Sequence, residues 1–180
     1  MAKSIMYRLL AREELSRVGE INRAERIDLI YEQHGRVLRG RVGDWSSDAW
    51  DPDGSGEHSV EAQRLALEHY LDAGGAALCA FSEGRLVGIG VVVIHRRPTV
   101  AQLAFLHVDA ACRGTGIGRR LSDELDSIAR QAGDTEIVVS ATPSENTVHF
   151  YLKRGYEVTD QPLAELFELE PDDVHLKKSL

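Results

Sequence analysis

Two kinds of apolar run alternate along this chain. Short continuous runs at 102–108 and 136–141 read as strands buried on both faces. Between them Ile117, Leu121, Leu125, Ile128, Ala129 and Ala132 recur at helical spacing, and Gly133 stops the pattern. A short helix is expected over 144–154, with Ser144 as its N-cap and Gly155 at its end. Upstream, 60–71 is helical in pattern and closes at Gly74-Gly75. Segments 76–81 and 85–95 read as a hairpin turned at Glu83-Gly84. Gly88 and Gly90 inside its second strand mark a bulge or a close backbone approach.

The first third of the chain is less regular. Residues 7–10 fit a strand, and 12–20 a helix with Leu15, Val18 and Ile21 on one face. Residues 24–31 continue helically, with Ile27, Ile30 and Tyr31 together. Segment 32–57 has no period, and its part 43–56 is dense in turn formers. That part holds both tryptophans, Trp45 and Trp50, which suit either a substrate lip or a loop anchored on the core. At the other end, 156–158, 165–169 and 174–180 are candidate strands.

The junction between the 102–108 strand and the following helix carries the most chemistry. It reads Val-Asp-Ala-Ala-Cys-Arg-Gly-Thr-Gly-Ile-Gly over 108–118. Gly114, Gly116 and Gly118 leave backbone N–H groups uncovered, and the positive end of the helix dipole points at the same place. This is an anion cradle suited to a phosphate or pyrophosphate. The spacing fits neither G-x-G-x-x-G nor the Walker A loop, since Arg119-Arg120 follow Gly118.

Composition narrows the classes. The chain has 180 residues, 43% hydrophobic and 28% charged, enough for one domain, 1–180, with a substantial core. No apolar run is long enough to span a membrane and no secretory h-region opens the chain, so a cytoplasmic location is expected. Cys79 and Cys112 are the only cysteines, which fits a reducing compartment. The seven histidines are scattered and no Cys/His pair has ligand spacing, so no metal site is expected. A formal charge of −8 argues against nucleic acid as a partner and would suit a cationic substrate, although solubility alone explains it too.

Two motifs together resemble one family. Arg113-x-x-Gly116-x-Gly118 after a strand ending at Val108 is similar to the acetyl-CoA loop of the GNAT superfamily of N-acetyltransferases, [RQ]-x-x-G-x-[GA]. Phe150-Tyr151 followed by Gly155-Tyr156 matches the second half of that superfamily's N-x-x-A-x-x-[FL]-Y-x-x-x-G-[FY] signature. Its Asn falls at Ser144 when Tyr151 is aligned, two residues before Asn146. Either residue is therefore a candidate for the polar contact to pantetheine. The likeness covers 103–156, and weakly the 170–176 stretch; 22–57 lies outside it.

The resemblance implies an α/β (α+β) fold with a mixed, mainly antiparallel sheet flanked by helices. It implies acetyl-CoA as acetyl donor and an amine, small-molecule or peptide, as acceptor. Val108 would polarise the thioester carbonyl through its backbone N–H, and backbone groups of Leu106, His107 and Val108 would pair with pantetheine. The N–H groups of Arg113, Gly114, Thr115, Gly116, Ile117 and Gly118 would hold the pyrophosphate. Tyr151 would protonate the leaving thiolate; a phenol with a pKa near ~10 is protonated at neutral pH. The alternative is an inactive acyl-CoA sensor or partner-binding module, which a blocked acceptor channel would favour. Exposed terminal strands leave room for a homodimer.

No base stands out. His107 titrates in a useful range, but strand alternation turns it away from Leu106 and Val108. Glu20, Glu25 and Asp28 are placed near the acceptor side, or are solvated charges. Arg119, Arg120, Lys153 and Arg154 lie close to the two motifs and are candidates for the 3′-phosphate of CoA, or simply exposed cationic faces. Cys112 has no histidine partner and is not proposed as a nucleophile.

Overall fold

The computed structural model describes residues 4–180. In chain order it runs β1 (Ile5–Leu9), a 3₁₀ helix over Arg12–Glu20, β2 (Glu25–His34), β3 (Val37–Ser47), α1 (Val60–Asp72), β4 (Gly75–Ser82), β5 (Arg85–Arg97) and β6 (Val100–Val108). Then come a short 3₁₀ turn over Ala110–Cys112, α2 (Ile117–Ala132), β7 (Glu136–Ala141), α3 (Glu145–Leu152), β8 (Glu157–Val158), α4 (Ala164–Leu169) and β9 (Val174–Ser179). Seven strands form one sheet in the order β1-β4-β5-β6-β7-β9-β8, and β2 pairs with β3 apart from it. Only the β6–β7 pair is parallel, so the sheet is mixed and mainly antiparallel, as expected.

Alternation along the central strands sends side chains to two faces. Ala77, Cys79 and Phe81 of β4 join Leu86, Ile89 and Val91 of β5 in a core capped by α1 and the first 3₁₀ helix. Ala80 and Val87 point the other way, onto Ile117 and Leu121 of α2. α2 is bounded by two glycines in the left-handed region, Gly116 (φ 90°) and Gly133 (φ 97°). A third core joins Leu125 and Ala129 to β7, β9 and the α3 residues Val148 and Tyr151. Gly88 and Gly90 are places of close approach: a Cβ at residue 88 would lie 2.8 Å from Ile117 Cγ2.

Three expectations are corrected. Residues 24–31 are strand, not helix, and the aperiodic 32–57 segment supplies the partner strand β3, so 25–47 is a hairpin turning at Gly35 (φ 61°). Ile27, Leu29 and Tyr31 are half-buried while Arg26, Asp28 and Glu32 are exposed, a period of two; Ile27, Ile30 and Tyr31, also apolar and half-buried, fit a helical spacing equally well. Residues 164–169 form α4 rather than a strand; six residues are too few for periodicity to decide. The 12–20 helix is of the tighter 3₁₀ kind.

The feature that makes a site is a parting of two strands. β6 and β7 pair only from Val100–Gln102 against Glu136–Val138. Next, β6 carries a bulge: Val92 stands opposite Leu103 and Val91 opposite Phe105, so Ala104 has no opposite residue. A bulge bends its strand and sharpens its twist. Beyond it, the β7-facing edge of 103–108 has no ladder partner.

Candidate active site

A cleft of about 850 Å³ opens where β6 and β7 part. One wall is Leu103–Val108 of β6, and the opposite wall runs from Val139 through Thr142 to Asn146, Phe150 and Tyr151. The floor at one end is the glycine loop, through Arg113, Gly114, Gly116 and Gly118. Arg23 and Glu25 at the start of β2, with Ser47, Trp50, Tyr70, Glu170 and Asp173, also line it.

The loop is held by groups that were not foreseen. Asp109, 2% exposed, is ion-paired to Arg85 and accepts from the N–H groups of Asn22 at 3.0 Å and Ala111 at 3.0 Å. Arg113 donates to the carbonyls of Arg23 at 2.8 Å and Ala24 at 3.1 Å, tying the loop to the start of β2. Its side chain is thus engaged with protein, and its contribution to an anion site is its backbone. Gly114 (φ 75°) and Gly116 (φ 90°) present an open surface, with nothing within 4 Å of a Cβ at either position. Gly116 offers no side-chain cap, so the first N–H groups of α2 stay free for an anion. Together with the unpaired β6 edge, this fits an extended acyl carrier ending in a pyrophosphate.

Not every candidate faces the cleft. Leu106, His107, Val108, Arg113, Gly114, Gly116, Gly118, Asn146 and Tyr151 line it; Thr115, Ile117 and Ser144 do not. Thr115 donates its hydroxyl to the Cys112 carbonyl at 2.6 Å, and Ile117 is core. Ser144 is buried as the α3 cap, accepting from Thr147 N–H at 3.4 Å and donating to Thr147 Oγ1 at 2.9 Å. Asn146 faces the cleft and donates to Glu25 Oε1 at 2.7 Å, across to β2.

Tyr151 is 5% exposed and packs edge-on against Phe150 and Tyr156. Burial, and secondarily the charge of Asp173, push its phenol above the usual value, so it stays protonated at neutral pH. His107 sits on the other face, edge to Phe105 at 4.6 Å and to Trp50 at 5.2 Å between centroids. Burial, with Arg23 and Arg113 nearby, lowers it to about 4, which leaves a neutral and feeble base. Glu20 is bound to Arg17 and to the Leu86 N–H at 2.7 Å, and Asp28 pairs with Arg26; neither lines the cleft. Of the nearby cations, Arg119 lines it, Arg120 lies over the Tyr7 ring, and Arg154 is paired with Asp123.

Of the two tryptophans in the 43–56 segment, Trp50 is the one at the cleft. It is buried in the core with the Arg23 guanidinium 4.2 Å from its ring centre, and it lines the cleft. Trp45 does not line it; its ring covers Gly43 on the β2–β3 hairpin. Glu170 and Asp173 had no signal beyond lying in an acidic turn before the last strand. No group of three or more metal-ligating side chains occurs among the described residues, and no described helix is long and apolar enough to cross a membrane.

A mainly antiparallel sheet that parts beside a glycine loop at a helix N-terminus defines a GNAT-type acyltransferase fold. The model of the acetyltransferase (GNAT) domain matches residues 51–166, and the chain belongs to that family. It is 31% identical over 105 residues to glucosamine 6-phosphate N-acetyltransferase 1 of Oryza sativa subsp. japonica, covering 53% of this chain and 62% of that protein. Among solved structures, nourseothricin acetyltransferase superposes with a TM-score of 0.73 at 16% identity, over 97% of this chain and 98% of that one. The PaiA N-acetyltransferase of Thermoplasma acidophilum, in complex with coenzyme A, gives 0.65 at 19% identity, over 98% and 99%. An acetyltransferase of Bacillus anthracis str. Ames, in complex with acetyl coenzyme A, gives 0.69 at 16% identity, over 97% and 96%.

Proposed function

We propose that this protein transfers the acetyl group of acetyl-CoA to a primary amine. The observation that carries the reading is the single cleft that joins the glycine loop, the unpaired β6 edge and Tyr151. Bound acetyl-CoA would supply the activated acetyl group. The free N–H groups of 113–118 would hold its pyrophosphate, the edge of Leu106–Val108 its pantetheine, and Asn146 a polar group of that arm. The Val108 N–H would polarise the carbonyl, where negative charge develops on attack. Tyr151 would give a proton to the departing sulfur. Arg119 at the cleft wall is the cation best placed for a further phosphate.

Supporting a cationic acceptor, the cleft lining carries Glu25, Glu57, Glu170 and Asp173. The test is a screen of primary amines with acetyl-CoA, read as released CoA thiol, alongside calorimetry of acetyl-CoA binding. Thiol release that depends on amine supports the reading. Binding of acetyl-CoA no tighter than of unrelated nucleotides overturns it.

A further inference from the structure

We infer that Asp173, with Glu170 beside it, takes the proton that the acceptor's ammonium must lose before it attacks. The inference rests on the acetyl-transfer reading. Asp173 belongs to the turn between α4 and β9, and its side chain and that of Glu170 line the same cleft as Tyr151. Tyr151 feels the charge of Asp173 directly. The intended proton donor and this carboxylate therefore line one cavity and influence each other's charge, as groups serving an amine and a departing sulfur must.

Asp173 is also the acid left unengaged. Asn146 donates to Glu25, and Glu57 is within 3.5 Å of the His58 ring. No described residue donates a hydrogen bond to the Asp173 carboxylate or forms an ion pair with it. The groups around it are Glu170 and Asp172 on its own turn, Tyr151 on α3 and His175 at the start of β9. His175 bonds to the Ser140 side chain at 3.1 Å and the Glu170 carbonyl at 3.1 Å, which holds the turn against β7. Tyr70 of α1 faces Glu170. Burial first, then the like charges of Glu170 and Asp172, push Asp173 up to about 7. An amine nitrogen held as a cation between two carboxylates would lower the local repulsion, and a base near neutrality accepts protons without being saturated by them.

The protons balance. Asp173 takes one from the R–NH₃⁺ group. The freed amine forms the C–N bond to the acetyl carbon and the C–S bond breaks. The second proton leaves that nitrogen and reaches the sulfur by way of the Tyr151 hydroxyl, which is restored. The proton on Asp173 passes to water at the open cleft, so each turnover releases one.

The experiment uses the full chain with 1,4-diaminobutane, L-lysine, kanamycin and glucosamine 6-phosphate as amines, and reads CoA thiol. With whichever amine is turned over, kcat/KM should rise about tenfold per pH unit up to about 7 and then level. Asp173→Asn should lose that limb and about 10²–10⁴-fold in kcat, with acetyl-CoA affinity unchanged by calorimetry. Asp173→Glu should recover part of the rate. Glu170→Gln removes a like charge, so the limb should move to lower pH, a shift that a merely structural role would not produce. An Asp173→Asn enzyme with the wild-type limb and rate overturns the inference and leaves acetyl transfer standing. The carboxyl ¹³C titration of Asp173 needs no acceptor. A midpoint near neutrality that falls in Glu170→Gln supports the assignment, and an ordinary acidic midpoint overturns it even if none of the four amines reacts.

Discussion

Gly90 of β5 lies so close to Leu125 of α2 that a Cβ at residue 90 would come within 2.6 Å of Leu125 Cδ1. The same Cβ would meet Leu106 Cδ1, on the strand that walls the cleft, at 3.2 Å. Helix α2 begins at the glycine loop, so its seat on β5 sets the position of that loop. Gly90→Ala should overpack this seat. We expect a loss of about 1–3 kcal/mol, read as a lower Tm. Gly35→Ala, in the open hairpin turn, is the comparison, and its cost should come from its positive φ alone. Equal Tm for Gly90→Ala and wild type would mean that α2 can lift freely from the sheet.

Gly116 poses the opposite case. It needs a left-handed conformation (φ 90°), yet among the described residues no atom beyond its chain neighbours stands within 4 Å of the Cβ it lacks. A substitution there strains the backbone without meeting the protein, and places a side chain where an anion would lie. Gly116→Val should therefore lower acetyl-CoA affinity by tenfold or more: the free loop relaxes from the strained conformation, and restoring it on binding costs about 1–2 kcal/mol before any clash with the anion. The fold should survive, by circular dichroism and thermal melting. An affinity within error of wild type would move the pyrophosphate away from this loop.

Legibility in the sequence followed chain locality. The stretch from Ala101 to Tyr156 was readable because both its helices carry their own stops, Gly133 and Gly155, and its strands are short apolar runs. The positive φ at Gly114 and Gly116 could be expected from composition alone. The β2–β3 hairpin was not readable. Its inward residues serve two periods at once, and its position depends on distant partners, such as Tyr31 N–H donating to the Pro143 carbonyl at 2.8 Å and Gln33 bound to the Thr159 carbonyl. The rest of the cleft lining was hidden for the same reason. Trp50, Tyr70, Asn146 and Asp173 meet there from four separate segments. The Ser144 and Asn146 alternatives were open because both are helix-start residues; only the fold shows which hydroxyl or amide is used up in capping.

Tyr151→Phe removes one hydroxyl and keeps the ring packed between Phe150 and Tyr156. If the phenol protonates the departing sulfur, kcat should fall while acetyl-CoA affinity stays. General acids contribute about 10²–10⁴-fold; a thiol with a pKa near ~8.5 leaves fairly well unaided, so about 10²-fold is expected. Because burial and Asp173 hold the phenol above its usual value, no alkaline limb from Tyr151 should appear below about pH 10. Single-turnover kinetics with saturating substrates separate this step from product release. A mutant whose chemical step is as fast as wild type removes Tyr151 from proton transfer.

His107 gives a pH dependence of stability opposite in sign to that of Asp173, whose burial raises rather than lowers its pKa. Its ring is enclosed between Phe105 and Trp50 and has Arg23 and Arg113 nearby, so its charged form is disfavoured and its pKa falls to about 4. An unfolded chain would protonate the same ring near ~6.5. Between those values the unfolded state binds the extra proton, so stability is lost as pH falls from about 6.5 towards 4. The loss should be about 1–3 kcal/mol after allowance for partial solvent access. His107→Phe keeps an aromatic ring against Phe105 and Trp50 and cannot take a proton. Its Tm should decline less steeply than that of wild type over this window and run parallel to it above pH 7. Parallel curves throughout would mean that the ring is open to water. The same variant also separates two groups that titrate in neighbouring ranges: a rate limb near pH 7 that persists in His107→Phe cannot belong to the histidine, and leaves it with the carboxylate of Asp173.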